Sequence, residues 1–345
     1  MELTNNTKKV GVEVLNSNTE RITYLDYARV FVVYLVILGH LYPIESHSIV
    51  RVVIYSFHMP FFFMVSGMLH KFNGTIQWKK YFKTIGIPIL FFNALFVFTN
   101  AFYTYIGLFK GGEGMTYLQI VSNNIYHGVG AVLYNGNPPS GPTWFLFALL
   151  LCKIVLDCIC IAKKPLIGLF FLLVLYFIGF GLYIPHFYFR NMLMVFPFYY
   201  LGYKYKKEIN DFLEKMKPQY LWSLFFLILT YLLAIMNVRV STKGVGFGAL
   251  RFPLNVFVFY TNALIGSIMM LLISKMFKRR DYITYCATSL ITILGIQNLF
   301  NKPYAILMPE GHLELMIPLA ILVLIMCVEI HKLLMRFCPW VLGKF

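Results

Sequence analysis

Charge is what this sequence has least of. Only 13% of its 345 residues are Asp, Glu, Lys or Arg, against roughly 25% in a soluble domain. Acid is scarcest, with 14 Asp and Glu against 30 Lys and Arg. So few polar groups cannot coat a water-soluble fold of this length, which excludes a sizeable soluble domain. Cysteine is sparse too. Cys152, Cys158, Cys160, Cys286, Cys327 and Cys338 all fall in or beside apolar runs, leaving no disulfide framework for the loops. Cys158 and Cys160 lack the companions a zinc site needs, so no metal is expected. Residues 1–20 have neither an apolar core nor a small-residue cleavage site, so the first apolar run is expected to double as a signal anchor. Internal repeats and paired broken helices are missing, which argues against the common transporter folds.

What the chain has is hydrocarbon. Hydrophobic residues make up 59% of it, mean hydropathy is +0.70, and the apolar residues gather into runs of about 17–22, the length that crosses a bilayer. The expected fold is all-α, with about ten transmembrane helices. They are expected near residues 27–44, 52–70, 86–106, 144–161, 165–184, 188–203, 220–237, 253–274, 282–300 and 313–334. A tail over 1–23, one transmembrane domain over 24–337 and a short tail over 338–345 complete the organisation.

Basic residues alternate between the ends of these spans. Twenty-one Lys and Arg fall on one side, among them Lys71, Lys79, Lys80, Lys83, Lys204, Lys275 and Arg280, and seven on the other. By the positive-inside rule the rich side is cytoplasmic, and both termini lie there. The net charge of +16 is thus topology-setting charge in a plasma or inner membrane, and nucleic acid is not an expected partner. The long outer loop over 107–143, rich in Gly, Asn and Pro, reads as part of an extracytoplasmic mouth or as a plain linker.

Ionisable groups inside spans are costly and mark sites. The first span, YLDYARVFVVYLVILGHLYP, carries Asp26, Arg29 and His40. Eleven helical steps lead from Arg29 to His40, a turn about 20° past whole helical turns with about 16 Å of rise, so the two share a face. Arg29 suits phosphate or carboxylate, and His40 can move a proton near neutral pH. The alternative is a snorkelling Arg29 and a His40 bonded to a neighbouring carbonyl. The second span, IYSFHMPFFFMVSGMLH, places His58 at a depth like that of His40 and Pro60 where it breaks a backbone bond. Ser66 and Gly67 offer a small surface for close helix approach. His58 reads equally as a site residue or a satisfied core histidine. Lys153 and Asp157, four apart in the fourth span, can neutralise each other as a structural pair.

LDYARVFVVYLVILGH followed by FHMPFFFMVSGML resembles the opening of the membrane acyltransferase family 3. PTWFLFALLL with Trp144, FPFYYLGYKYKK and PWVLGK resemble further segments of it, and the FHMP variant is most similar to the branch of fucose acetylases and intercellular-adhesin O-acyltransferases. The resemblance implies transfer of an acyl group, foremost acetyl, from cytoplasmic acyl-coenzyme A to a hydroxyl of a cell-surface or lipid-linked saccharide. It implies no bound cofactor, with the donor as a substrate. His40 would be the base and Arg29 the donor clamp, while Asp26, His58, Ser66, Trp144, Lys80 and Lys83 are candidate binding residues. Two departures stand out: WKKYFKTIGIP replaces a paired arginine, and Gln297 and Asn298 stand near the place of a late histidine. Membrane lipid and glycan-synthesis machinery are the expected surroundings. A glycan exporter or flippase lined by His40 and Arg29 is the rival reading, and a non-catalytic partner of a glycan synthase is the third.

Overall fold

The computed structural model describes residues 23–41, 49–133, 141–163, 166, 168, 188–240, 256–307 and 313–344. Among these no strand occurs; the described chain is helical. In chain order the helices are α1 (Thr23–Leu41), α2 (Ile49–Met68), α3 (Trp78–Tyr105), α4 (Tyr117–Leu133), α5 (Trp144–Ala162), α6 (Phe189–Lys204) and α7 (Lys206–Lys215). They continue with α8 (Gln219–Val240), α9 (Val256–Lys275), α10 (Asp281–Thr288), α11 (Leu290–Leu307) and α12 (Leu313–Phe337).

Seven of these helices are long and apolar enough to cross a membrane, and an eighth span results if α10 and α11, bent by 74° at their junction, count as one. All eight coincide with expected spans. The ninth, expected at 188–203, is the 16-residue helix α6, whose rise of about 24 Å falls short of a bilayer core of about 30 Å. The tenth, expected at 165–184, lies almost wholly outside the described residues. The loop expected at 107–143 contains α4, whose Ile120 and Val121 enter a buried cluster with Val97 and Ala101 of α3.

Contacts between helices fix which ends lie together. Tyr27 O–H donates to the Lys278 carbonyl at 2.6 Å, and Lys275 pairs with Glu214 of α7, which holds that carboxyl below its ordinary value. With residues 71–83 these define a lysine-rich end. At the far end, α1 meets the start of α2. The hub is α1, which packs against α2, α9, α10, α11 and α12. It and α2 are each 67% buried, whereas α8 is only 17% buried and turns most of its surface outward.

The tightest crossing joins α2 to α6. A Cβ on Gly67 would lie 1.9 Å from the Tyr199 carbonyl oxygen, and one on Gly202 would lie 1.9 Å from that of Met64. The two glycines therefore let the backbones touch, as small residues do inside membranes. Beside this crossing a buried polar clasp joins α2, α3, α5 and α6. His70 donates through Nε2 to Asp157 Oδ1 at 3.0 Å and shares a 2.7 Å hydrogen bond with the Tyr199 hydroxyl through Nδ1. Tyr81 donates to Asp157 Oδ2 at 2.7 Å. Burial, with the Lys153 ammonium nearby, pushes the His70 imidazole below its ordinary value. Asp157 is thus partnered by His70 and Tyr81, while Lys153 lies over the Tyr81 ring at 5.5 Å. The helical i,i+4 spacing suggested a self-contained Lys153–Asp157 pair; tertiary partners take the carboxylate instead.

Two outcomes follow for thermal unfolding in detergent. Gly67→Val should cost about 3 kcal/mol or more, because the clash is with backbone, while the neighbouring Ser66→Ala should be nearly silent. Asp157→Ala should cost about 3–5 kcal/mol, by stranding buried His70 and Tyr81, with Lys153→Met far milder. Equal losses in the second pair would restore the Lys153–Asp157 reading.

Candidate functional site

The stripe on α1 is real in the sense that matters: the helix runs unbroken from Thr23 to Leu41, so the eleven-residue spacing keeps Arg29 and His40 on one face. Near the lysine-rich end Arg29 forms an ion pair with Asp26 and also donates to the Leu25 carbonyl at 3.3 Å. The Asp26 side chain is 3% exposed and that of Arg29 22%. The carboxylate therefore holds one terminal nitrogen of the guanidinium and the Leu25 carbonyl its Nε, while part of that group faces outward. Asp26 is a partner that orients Arg29.

At the far end α2 supplies three residues in helical register. Arg51, Tyr55 and His58 recur at i, i+4 and i+7 and so project from one face. Tyr55 O–H and His40 Nδ1 share a 3.1 Å hydrogen bond. The Tyr55 ring meets those of His40 and His58 edge-on, with centroids 5.9 and 4.9 Å away, and the Arg51 guanidinium lies over it at 4.9 Å. His58 Nδ1 bonds the Ile54 carbonyl at 2.9 Å; a carbonyl only accepts, so the proton sits on Nδ1 and the basic nitrogen is Nε2. The structure thus joins His40 and His58 through Tyr55, a residue that the apolar pattern of the span concealed. Its i+4 relation to Arg51 was the available signal.

The remaining candidates separate from this centre. Ser66 lies eight residues beyond His58, about 12 Å along the helix, beside the glycine crossing; it is half-buried and away from both histidines. Trp144 opens α5 and packs near Phe63, with ring centroids 6.5 Å apart. Lys80 and Lys83 are exposed at the lysine-rich end, close to the His70 clasp. The same end holds a cavity of about 1000 Å³ between α1, α7 and α9, lined by Tyr24, Asn210, Lys217, Lys275, Phe277 and Arg279. It reaches α1 about one and a half turns before Arg29. No group of three or more His, Cys, Asp or Glu among the described residues could hold a metal ion.

What this arrangement can do is limited and specific. It offers a half-buried imidazole held by a phenol, a second, buried imidazole with its basic nitrogen fixed, and a guanidinium on the same stripe toward a basic surface. Comparison with curated proteins and with solved structures gave no match. A family model described as an acyltransferase domain matches residues 22–331. That match takes in α1 with both stripe residues and nearly all of the helices packed around it, and the chain belongs to the membrane acyltransferase family 3.

Proposed function

We propose that the chain is an O-acyltransferase, foremost an O-acetyltransferase, carrying an acyl group from cytoplasmic acyl-coenzyme A to a hydroxyl of a cell-surface or lipid-linked saccharide. The observation that carries the reading is the His40–Tyr55 hydrogen bond on the helix face that also holds Arg29. The lysine-rich end is taken as cytoplasmic on charge bias. The coenzyme's phosphates would be drawn to Lys217, Lys275 and Arg279 around the cavity, with Lys80 and Lys83 adding to the same field. Arg29 then holds the donor below the thioester. The rise of about 16 Å from Arg29 to His40 is a length an extended pantetheine arm can bridge.

In the tautomer whose proton sits on Nδ1, directed at the Tyr55 oxygen, His40 keeps the Nε2 lone pair for an arriving hydroxyl. As the hydroxyl oxygen attacks the thioester carbonyl, Nε2 takes its proton. The tetrahedral intermediate then expels the coenzyme thiolate, which the imidazolium reprotonates, and the ester leaves toward the far end. His58 and Arg51 flank the place where the acceptor would lie.

His40→Ala should lower acyl transfer by roughly 10²–10⁴-fold, with Arg29→Ala comparable and the double variant little worse, because groups serving one step are not additive. Arg29→Lys should also be damaging, since an ammonium lacks the two-pronged contact. The measurement is acyl groups per sugar and total surface glycan at matched membrane levels; unaltered acylation on a reduced amount of glycan would instead establish the exporter. For the donor, Lys217→Gln with Arg279→Gln should raise the KM for acetyl-coenzyme A and flatten its salt dependence. If Lys80→Gln with Lys83→Gln does so and the first pair does not, the coenzyme docks beside the His70 clasp and not in the cavity.

A further inference from the structure

Buried polar groups are distributed unevenly between the two ends of the bundle. Toward the lysine-rich end they are partnered: His70, Asp157, Tyr81 and Tyr199 form the clasp, and Thr292 bonds His331 at 2.7 Å. On the half that carries His40, where His40, His58 and Thr143 have partners, several other described polar groups do not. Gln297 and Asn301 of α11 are 0% and 2% exposed, and neither the oxygen nor the nitrogen of either amide has a hydrogen-bond partner. Both atoms of Asn262 on α9, fully buried, are in the same state, as are the Tyr304 hydroxyl and Asn100 Oδ1.

The register makes this one feature. Gln297, Asn301 and Tyr304 stand at i, i+4 and i+7, a single stripe along α11. Both α11 and α9 pack against α1, the helix of His40, and α11 also packs against the turn at Gly141–Thr143 that opens α5. Asn298, next to Gln297, lies 3.7 Å from where a Cβ on Gly141 would be. Buried amides without partners are costly in any protein and more so within a bilayer, where no bulk water reaches them. Polar groups of this kind are retained where water or a ligand completes them.

The ligand's class follows from the chemistry of the side chains. An amide offers two donors and a carbonyl with two lone pairs, a match for hydroxyls, which both donate and accept. The stripe itself has no charge to recognise a phosphate, and Lys302, beside Asn301, is turned onto the Phe96 ring of α3. We propose that Gln297 and Asn301, with Tyr304 and Asn262, line a hydrated, uncharged pocket that binds the hydroxyl groups of the saccharide acceptor on the His40 side of the membrane. This rests on the acyl-transfer reading for the identity of the ligand, though not for the existence of the pocket.

The test has two arms. In proteoliposomes, Asn301→Cys and Asn262→Cys are treated separately with a small water-soluble thiosulfonate, and modified sites are located by mass spectrometry. A hydrated pocket predicts labelling at least tenfold faster than at native Cys152, which is fully buried in α5, and at least fivefold protection by glycan extracted from the expressing cells. Labelling no faster than Cys152 at both positions overturns the pocket; fast labelling without protection overturns its saccharide ligand. In the second arm, Gln297→Leu and Asn301→Leu should raise the half-saturating concentration of that glycan at least tenfold, leaving the KM for acetyl-coenzyme A within twofold. A rise in both constants, or in neither, overturns the acceptor assignment. If the unaltered protein transfers no acyl group, the acyl-transfer reading fails, while the labelling arm still decides the pocket.

Discussion

Within a bilayer a polar group must find its partner inside the protein, since lipid tails supply none. That constraint organises this bundle. Where partners can be built from side chains, they are: the His70–Asp157 clasp with its two tyrosines spends every strong hydrogen-bonding atom it contains and ties four helices together. Among the described residues several buried polar atoms have no partner, and those of Gln297, Asn301, Tyr304 and Asn262 lie along one stripe of α11 and on α9, two helices that pack on the one carrying His40. The clasp marks the lysine-rich end, and the partnerless amides mark the half that carries His40.

The hub position of α1 follows from the same constraint. Asp26, Arg29 and His40 can be carried through the membrane only on a helix shielded from lipid, and α1 is enclosed by five neighbours. Its partner α2 is held in place by the glycine crossing with α6, so that the face bearing Arg51, Tyr55 and His58 is presented to His40 without slack. Steric contact at one end of α2 thus sets the geometry at the other.

Much of this was legible before any coordinates. Apolar run length located seven long described helices and the bent pair α10–α11 because the bilayer sets a minimum for each span, and the helical period placed Arg29 and His40 on one face. The close approach at Gly67 was readable from its size. Other features were hidden because they depend on contacts between distant segments. Tyr55 looks like one more aromatic in an aromatic-rich span, and only its placement between His40 and His58 marks it. Asp157 has a lysine four residues before it, a plausible local partner, and the sequence gives no hint that His70, 87 positions away, takes that carboxylate. Conversely α4 was obscured by flanking glycines that punctuate a helix without preventing it. The expected roles of Ser66 and Trp144 came from the resemblance; the helix rise carries Ser66 away from the histidines.

The glycine crossing has a mechanical consequence. Two helices in backbone contact through reciprocal carbonyls cannot slide or separate by a rotamer change, so α2 and α6 behave as one stiff lever with Gly67 and Gly202 as its rivet. Any breathing that admits a bulky molecule to His40 must then run along seams zipped by side chains alone, such as those of α1 with α9 and α11. Gate and anvil are in this way assigned to different helices, and the wall that must stay still during chemistry is the one whose joint contains no movable atoms.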